Sequence, residues 1–364
     1  MCRLLGKEVI MDFTENTNPP QPPSGFIPSG QGPMPPLPVV QVIRPEKKGT
    51  GWKIFGGILF ALSVLANIGM FFLLVGLVVF FAAGHEGGLI EQVVREGPRT
   101  ARIALVSVNG IIDEQQARDV YEQLKAARKD KYVKGVIVRV NSPGGTISGS
   151  DQIYNEILKF RDKENKPVVA FMQGVAASGG YYTSVACEKI IAEPTTITGS
   201  IGVITGYLVL EQLLENKLGI QPVIVKAGEK KDWPSSFKAP TDEQLQYLRE
   251  RLIDPAYNRF VQIVADGRKM LTTEDVNRLA DGSIYWADKA LEEKLIDQIG
   301  YLDDAIEQVK SMADIQKAQV VEYRKPFSFA DILGAQAKSK LSFDQKTLYE
   351  LTTPQVLYLW SAIE

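Results

Sequence analysis

The chain has 364 residues, 45% of them hydrophobic, with 41 basic and 43 acidic side chains and a formal net charge of −2. That length suffices for one large domain or two moderate ones, and the balanced charge, with no basic stripe, argues against nucleic acid as a partner. One histidine and two cysteines rule out an imidazole-built metal centre and a fold held by disulfides.

Residues 1–53 form a cytoplasmic tail whose stretch "NPPQPPSGFIPSGQGPMPPLPVVQVIRP" carries much of the chain's proline. Such a composition buries too little apolar surface to fold and has polyproline character. It reads as a spacer, with a PxxP ligand for a partner as the alternative, and Met11 is a candidate start site. The uncharged run "IFGGILFALSVLANIGMFFLLVGLVVFFAAG" follows at 54–84. At 1.5 Å per residue it extends on the order of 46 Å, more than the ~30 Å of a bilayer's hydrocarbon. It reads as one transmembrane helix, with Asn67 accommodated by tilt or by a helix partner. Arg44, Lys47, Lys48 and Lys53 precede it, and His85, Glu86 and Glu91 follow it. The positive-inside rule therefore puts the tail in the cytoplasm and residues 85–364 outside. Cys2 and Cys187 then lie on opposite sides of the membrane, and Cys187 is expected to be a small buried hydrophobe.

A linker at 85–100 leads to alternating elements: a strand at "RIALVSVNGII", a helix at "EQQARDVYEQLKAARKD", and a short strand "KGVIVRV" ending at "NSPGG". A helix near "GSDQIYNEILKFRDKE", a strand "KPVVAFM" and a helix starting close to Ser178 come next. "KIIAE", "TTITGSIGVITG" and a strand at "QPVIVKAG" continue the alternation. Apolar strands alternating with helices predict a parallel sheet covered on both faces. From Thr241 the pattern turns helical, with "TDEQ" as a capping box and Pro255 as a kink or break. "GSIYW" reads as a short connection between later helices. The expected fold is α/β over 101–325 with a helical extension, and residues 326–364 form a C-terminal helical tail.

Three features bear on chemistry. Ser178 sits in "GVAASGGYY", a strand-to-helix turn that suits a nucleophile and equally suits tight helix packing; Ala176 stands where the hydrolase nucleophile elbow has glycine. "NSPGG" offers tandem glycines whose N–H groups are free to face an oxyanion, although such turns are common. Finally, His85 lies far from every glycine-rich turn, so a serine nucleophile would need a lysine or carboxylate base. Lys226, Lys230, Lys231 and Lys238 share one loop, and local chemistry selects none of them.

"VNSPGG", "GVAASGGYYTSVACEKIIAEPTTITGSIGV", "VKAGEKKDWPSSF" and "ADGSIYWADKALEEKLIDQIG", in this order behind one span, resemble the short bacterial form of the signal peptide peptidase A family. The resemblance covers most of residues 102–305. It implies a serine endopeptidase with a Ser-Lys dyad on a crotonase/Clp-protease-like fold. The family nucleophile falls on Ser178 and the base on Lys231 rather than the adjacent Lys230. Gly144 and Gly145 match the oxyanion turn, with Gly179 as a further donor. The resemblance also implies no cofactor, a homo-oligomeric ring at the cell (inner) membrane and a dyad that can form between subunits. Asp232 is expected to face away from Lys231. The implied substrates are signal-peptide remnants and other apolar peptides, and the apolar end "TPQVLYLWSAIE" is either a packing tail or a pseudo-substrate. Two alternatives are a related membrane Ser-Lys protease acting on a stomatin-like partner and a crotonase-fold acyl-CoA enzyme.

Overall fold

The computed structural model describes residues 50–83, 89–326 and 355–360. The proline-rich tail, Met11, Cys2, His85 and most of 326–364 lie outside them. Taken by itself, helix α1 (Thr50–Ala83) contains a stretch, Gly51–Leu77, long and apolar enough to cross a membrane. Asn67 Nδ2 donates to the Ser63 carbonyl at 2.7 Å. One of the amide's two N–H groups is thereby used within the helix.

The remaining elements build one large, mostly parallel sheet. β2 (Arg102–Ile112), β3 (Val133–Thr146), β4 (Val168–Ala177) and β5 (Lys189–Ala192) pair in parallel, separated by helices α2 (Glu114–Lys129), α3 (Ile147–Glu164) and α4 (Gly179–Ser184). Their β-branched runs are buried on both faces. Ala104, Val106, Val136 and Val138 pack against Val120, Leu124, Ile153 and Ile157, while Ile103, Leu105, Ile137 and Phe171 pack against Ile306 and Val309 of α9 (Leu302–Met312). Asp113 caps α2 by accepting from Gln116 N, and Thr146 caps α3 by accepting from Gly149 N.

Two strands absent from the sequence reading complete one edge. β1 (Ile90–Arg95), within the expected linker, pairs antiparallel with β10 (Gln319–Arg324), and β10 inserts parallel to β2. Glu322 on β10 is buried and accepts from Ser107 Oγ at 2.6 Å and Arg139 Nη2 at 2.8 Å, tying three strands together.

β4 changes neighbour along its length. Residues 169–172 pair with β5, and 175–177 pair with β6 (Ile197–Gly199). β8 (Ile284–Trp286) pairs antiparallel with β6, so "GSIYW" contains a strand rather than a simple connection. β3 does not stop at "NSPGG" but runs through it to Thr146. A register shift against β2 between Asn109 and Ile111 absorbs Pro143, which has no N–H for a ladder. The short β9 (Gln298–Ile299) closes the far edge beside β5.

Beyond β7 (Ile204–Gly206), the expected strand at "QPVIVKAG" does not form; residues 221–226 run without a ladder. Val223 and Val225 are 85% and 94% exposed, and no strand among the described residues pairs with them. The capping box at Thr241 and Gln244 starts α5 (Asp242–Leu248). Pro255 stands at the head of α6 (Asp254–Gly267), directly after a π-turn at Arg249–Ile253. The wider turn absorbs the lost N–H and keeps the helical path going where a break was expected. α7 (Thr273–Leu279) and α8 (Ala287–Glu292) follow. Residues 355–359, assigned from sequence to a helical tail, form strand β11 (Gln355–Leu359). Cys187 is buried, and burial pushes its thiol up from the ordinary range.

A buried ion pair fastens the far edge. Asp297 accepts from Arg268 Nη1 at 2.7 Å and from the Ile190 N–H at 2.8 Å. Burial alone would raise this carboxyl, but the hydrogen bond and charge of Arg268 outweigh it and hold it below the usual aspartate range. A depressed carboxyl contributes stability above its unfolded value and loses it as pH falls. Asp297→Asn should cost about 3 kcal/mol in chemical denaturation. The difference from wild type should shrink as the pH drops below ~4.

Candidate active site

Ser178 caps α4 at the end of β4 with φ 53° and ψ −114°, and it is 1% exposed. A non-glycine residue rarely holds that backbone, and such strain gathers at reacting centres. The turn is locked from both sides: the Ser178 N–H donates to the Gly199 carbonyl, and the Ser178 carbonyl accepts from the Tyr182 N–H, both at 2.8 Å. It is a strained strand-to-helix elbow, although Ala176 stands where the hydrolase motif has glycine. Ser178 Oγ makes no hydrogen bond among the described residues.

The "NSPGG" turn lies directly against this elbow. A Cβ on Gly144 (φ +100°) would sit 2.7 Å from the Gly179 nitrogen, and one on Gly179 would sit 3.1 Å from the Gly144 Cα and 2.5 Å from Ser150 Oγ. Only glycine lets the two backbones approach so closely. Ser142, which the sequence reading passed over, organises the turn: its hydroxyl donates to the Gly110 carbonyl at 2.6 Å and accepts from the Gly144 N–H at 3.0 Å. The Gly144 N–H is thus engaged inside the turn. Gly179 opens α4, where leading N–H groups have no intrahelical acceptor.

β11 lies across this junction. It pairs antiparallel with β3 on one side, Tyr358 opposite Gly145, and with β7 on the other, Val356 opposite Thr205. Trp360 N–H donates to the Pro143 carbonyl at 2.8 Å. The Tyr358 carbonyl oxygen points at the glycine junction, 2.0 Å from a Cβ placed on Gly144 and 3.1 Å from one on Gly179. Its ring fills an aromatic pocket, with centroids 4.9 Å from Tyr182 and 4.8 Å from Phe260, and its hydroxyl donates to the Ala256 carbonyl at 2.7 Å. Tyr182 is held in turn by Asp151, to which its hydroxyl donates at 2.6 Å and which also accepts from Arg259 at 3.1 Å. Burial, then the Asp151 carboxylate, pushes the Tyr182 phenol up, so it stays a donor.

Ser178, Gly144, Gly145 and Gly179 are therefore brought together, and Lys231 is not. It is exposed on the 226–238 loop, and its side chain has no hydrogen bond or ion pair among the described residues. Its neighbours are occupied. Lys226 pairs with Asp232, whose carboxyl that hydrogen bond lowers. Lys230 lies 4.7 Å from the ring centroids of both Trp233 and Tyr247. Asp232 thus turns to Lys226, leaving Lys231 unencumbered. The pocket residues Tyr182 and Phe260 escaped the sequence reading because aromatic residues on helices look like ordinary core. The described residues hold no cluster of metal-ligating side chains.

The family model for peptidase family S49 matches residues 160–316, and that for Clp protease matches residues 91–196. An Enterococcus faecium protein named "Putative signal peptide peptidase SppA" is 39% identical over 262 residues, covering 69% of this chain and 74% of that protein. "Serine protease SPPA, chloroplastic" of Arabidopsis thaliana is 34% identical over 270 residues, 72% of this chain and 39% of its own length. "Protease 4" of Haemophilus influenzae is 34% identical over 228 residues, 61% of this chain and 36% of its own length. The chain spans well under half of these last two relatives.

Gly144→Ala tests the junction. The added methyl would occupy the position of the Tyr358 carbonyl, so hydrolysis of a fluorogenic peptide should fall by roughly 100-fold or more. Circular dichroism should still report a folded domain.

Proposed function

The chain belongs to peptidase family S49 and is a serine protease, and we propose that Ser178 is its nucleophile and Lys231 its general base. The observation that carries this reading is β11 lying as an extended strand between β3 and β7, with one carbonyl aimed at the Gly144–Gly179 junction beside a strained serine. A peptide in that position is held by main-chain pairing on both sides, which suits a protease acting on many sequences. The Tyr358 position is the residue on the acyl side of the scissile bond, and its pocket takes a large aromatic or apolar side chain. Ser178 Oγ attacks the carbonyl carbon as Lys231 Nζ accepts the hydroxyl proton. The Gly179 N–H faces the developing oxyanion beside the Gly144–Gly145 turn, whose Gly144 N–H is held by Ser142 Oγ. The lysine then protonates the leaving amine, and water releases the acyl group.

Lys231 reaches a neighbouring subunit's Ser178 in this reading, within a homo-oligomeric ring. Two features support it: the unpaired lysine, and the exposed apolar run at Val223 and Val225, which pairs with no strand among the described residues. Residues 101–325, extended by β1 and β11, form the protease unit. Helix α1 anchors it in the cell membrane with the basic flank in the cytoplasm and the protease outside. The substrates are signal-peptide remnants and other apolar peptides, in keeping with the name of the Enterococcus relative and the aromatic pocket.

Ser178→Ala and Lys231→Ala should each lower peptide hydrolysis by about 1,000-fold or more, and Lys230→Ala should retain it. Co-expressing the two inactive variants should restore a fraction of the activity if the dyad forms between subunits, and none if it forms within one. Mass spectrometry of wild type should find a fraction of chains ending at Tyr358, lacking residues 359–364, whereas Ser178→Ala should keep its full C-terminus. An intact wild-type end would count against β11 as a cleavable occupant.

A further inference from the structure

Strand parity sorts the side chains of β11 by face. Val356 and Tyr358 share one face and line the same depression, together with Asp151, Tyr182, Pro255 and Ala256. Thr205 is paired with Val356 and so faces the same way, as does Tyr207 two residues on. Beneath these two lies a separate cavity of about 350 Å³, walled by Val209, Pro240, Leu245, Leu248 and Ile253. Thr205 Oγ1 and the Tyr207 hydroxyl are both buried there, and neither has a hydrogen-bond partner. Buried hydroxyls are nearly always paired, so two orphans in one apolar cavity mark a place where an acceptor is missing. Burial also pushes the Tyr207 phenol up, keeping it a donor.

The register identifies the occupant. Gln355 pairs with Gly206, so a bound peptide that continues the strand by one residue brings its next side chain alongside Tyr207, on the cavity's face. We propose that this cavity is a binding pocket for the fifth residue on the acyl side of the scissile bond. It takes a side chain with an apolar stem and a neutral, hydrogen-bond-accepting tip, for which glutamine is the model. The π-turn at Arg249–Ile253 contributes to both this cavity and the depression under Val356, so one helical segment bounds the alternate subsites. A carboxylate tip is disfavoured, since Leu248 and Ile253 would strip part of its hydration. Arg249 leaves its cation in solvent, 3.7 Å from Asp254.

The inference rests on the reading that Tyr358 occupies the acyl-side position next to the scissile bond, and the experiment separates the two. Full-length enzyme in detergent is given quenched fluorogenic peptides with tyrosine or glycine next to the bond. Each set has four acyl-side residues, or five with the fifth being Gly, Leu, Gln or Glu. Glutamine should raise kcat/KM about tenfold over glycine, leucine less, and glutamate not at all. In the double variant Thr205→Val, Tyr207→Phe the ratio of glutamine to leucine should fall to unity or below. Loss of the tyrosine preference next to the bond would overturn the register, and this inference with it. A retained tyrosine preference with rates indifferent to the fifth residue would overturn the pocket alone. Leucine equal to or better than glutamine in wild type would overturn the polar tip.

Discussion

The region around Ser178 is organised by one steric constraint, the contact between two glycine backbones. Gly144 and Gly179 come from the ends of different strands, and neither has room for a single methyl group. That contact sets the distance between the "NSPGG" turn and the Ser178 elbow. It leaves a gap into which one peptide carbonyl fits. The parallel pairing of β3 and β4 delivers the two ends side by side, and the register shift near Pro143 brings Gly144 into place. Ser142 then holds the turn by its own side chain, which frees the surrounding backbone to pair with a guest strand.

Much of this was legible in the sequence, for identifiable reasons. β2 and α2 could be read almost to the residue because an eleven-residue apolar strand and an amphipathic helix with an Asp113 cap are strong local signals. Ser178 and the glycines could be singled out through the order of the family-like motifs, since composition alone left a packing turn equally open. What escaped depends on partners distant in the chain. β10 is a short "QVVEYR" run that becomes a strand only between β1 and β2. β11 reads as an apolar tail until β3 and β7 flank it. The converse error has the same origin, since "QPVIVKAG" has strand composition but no pairing strand among the described residues. The pocket aromatics Tyr182 and Phe260 were invisible as a site because nothing local separates a wall of a binding pocket from a core contact.

The arrangement also divides the chemistry unevenly between rigid and adaptable parts. The proposed nucleophile, Ser178, and the glycine junction lie where parallel strands end, supported by a core buried on both faces. Lys231 lies on a loop broken at Gly228 and Pro234, outside any ladder. The proposed base, on such a loop, contributes only when something positions it. Strand-forming residues such as Val223 and Val225, a few positions upstream, are suited to that task once a partner edge is present.

The placement of β10 has a kinetic consequence. Because this strand lies between β1 and β2, the sheet cannot close until the ribosome has released the chain through Arg324. Contacts between residues more than two hundred positions apart form late, because the loop they close must be ordered first. The emerging polypeptide therefore carries Ser178 and its elbow for well over a hundred residues of synthesis before its edge is complete. During that interval β2 lacks its β10 neighbour. Until Arg324 emerges, that edge offers its unpaired N–H and C=O groups to any other strand.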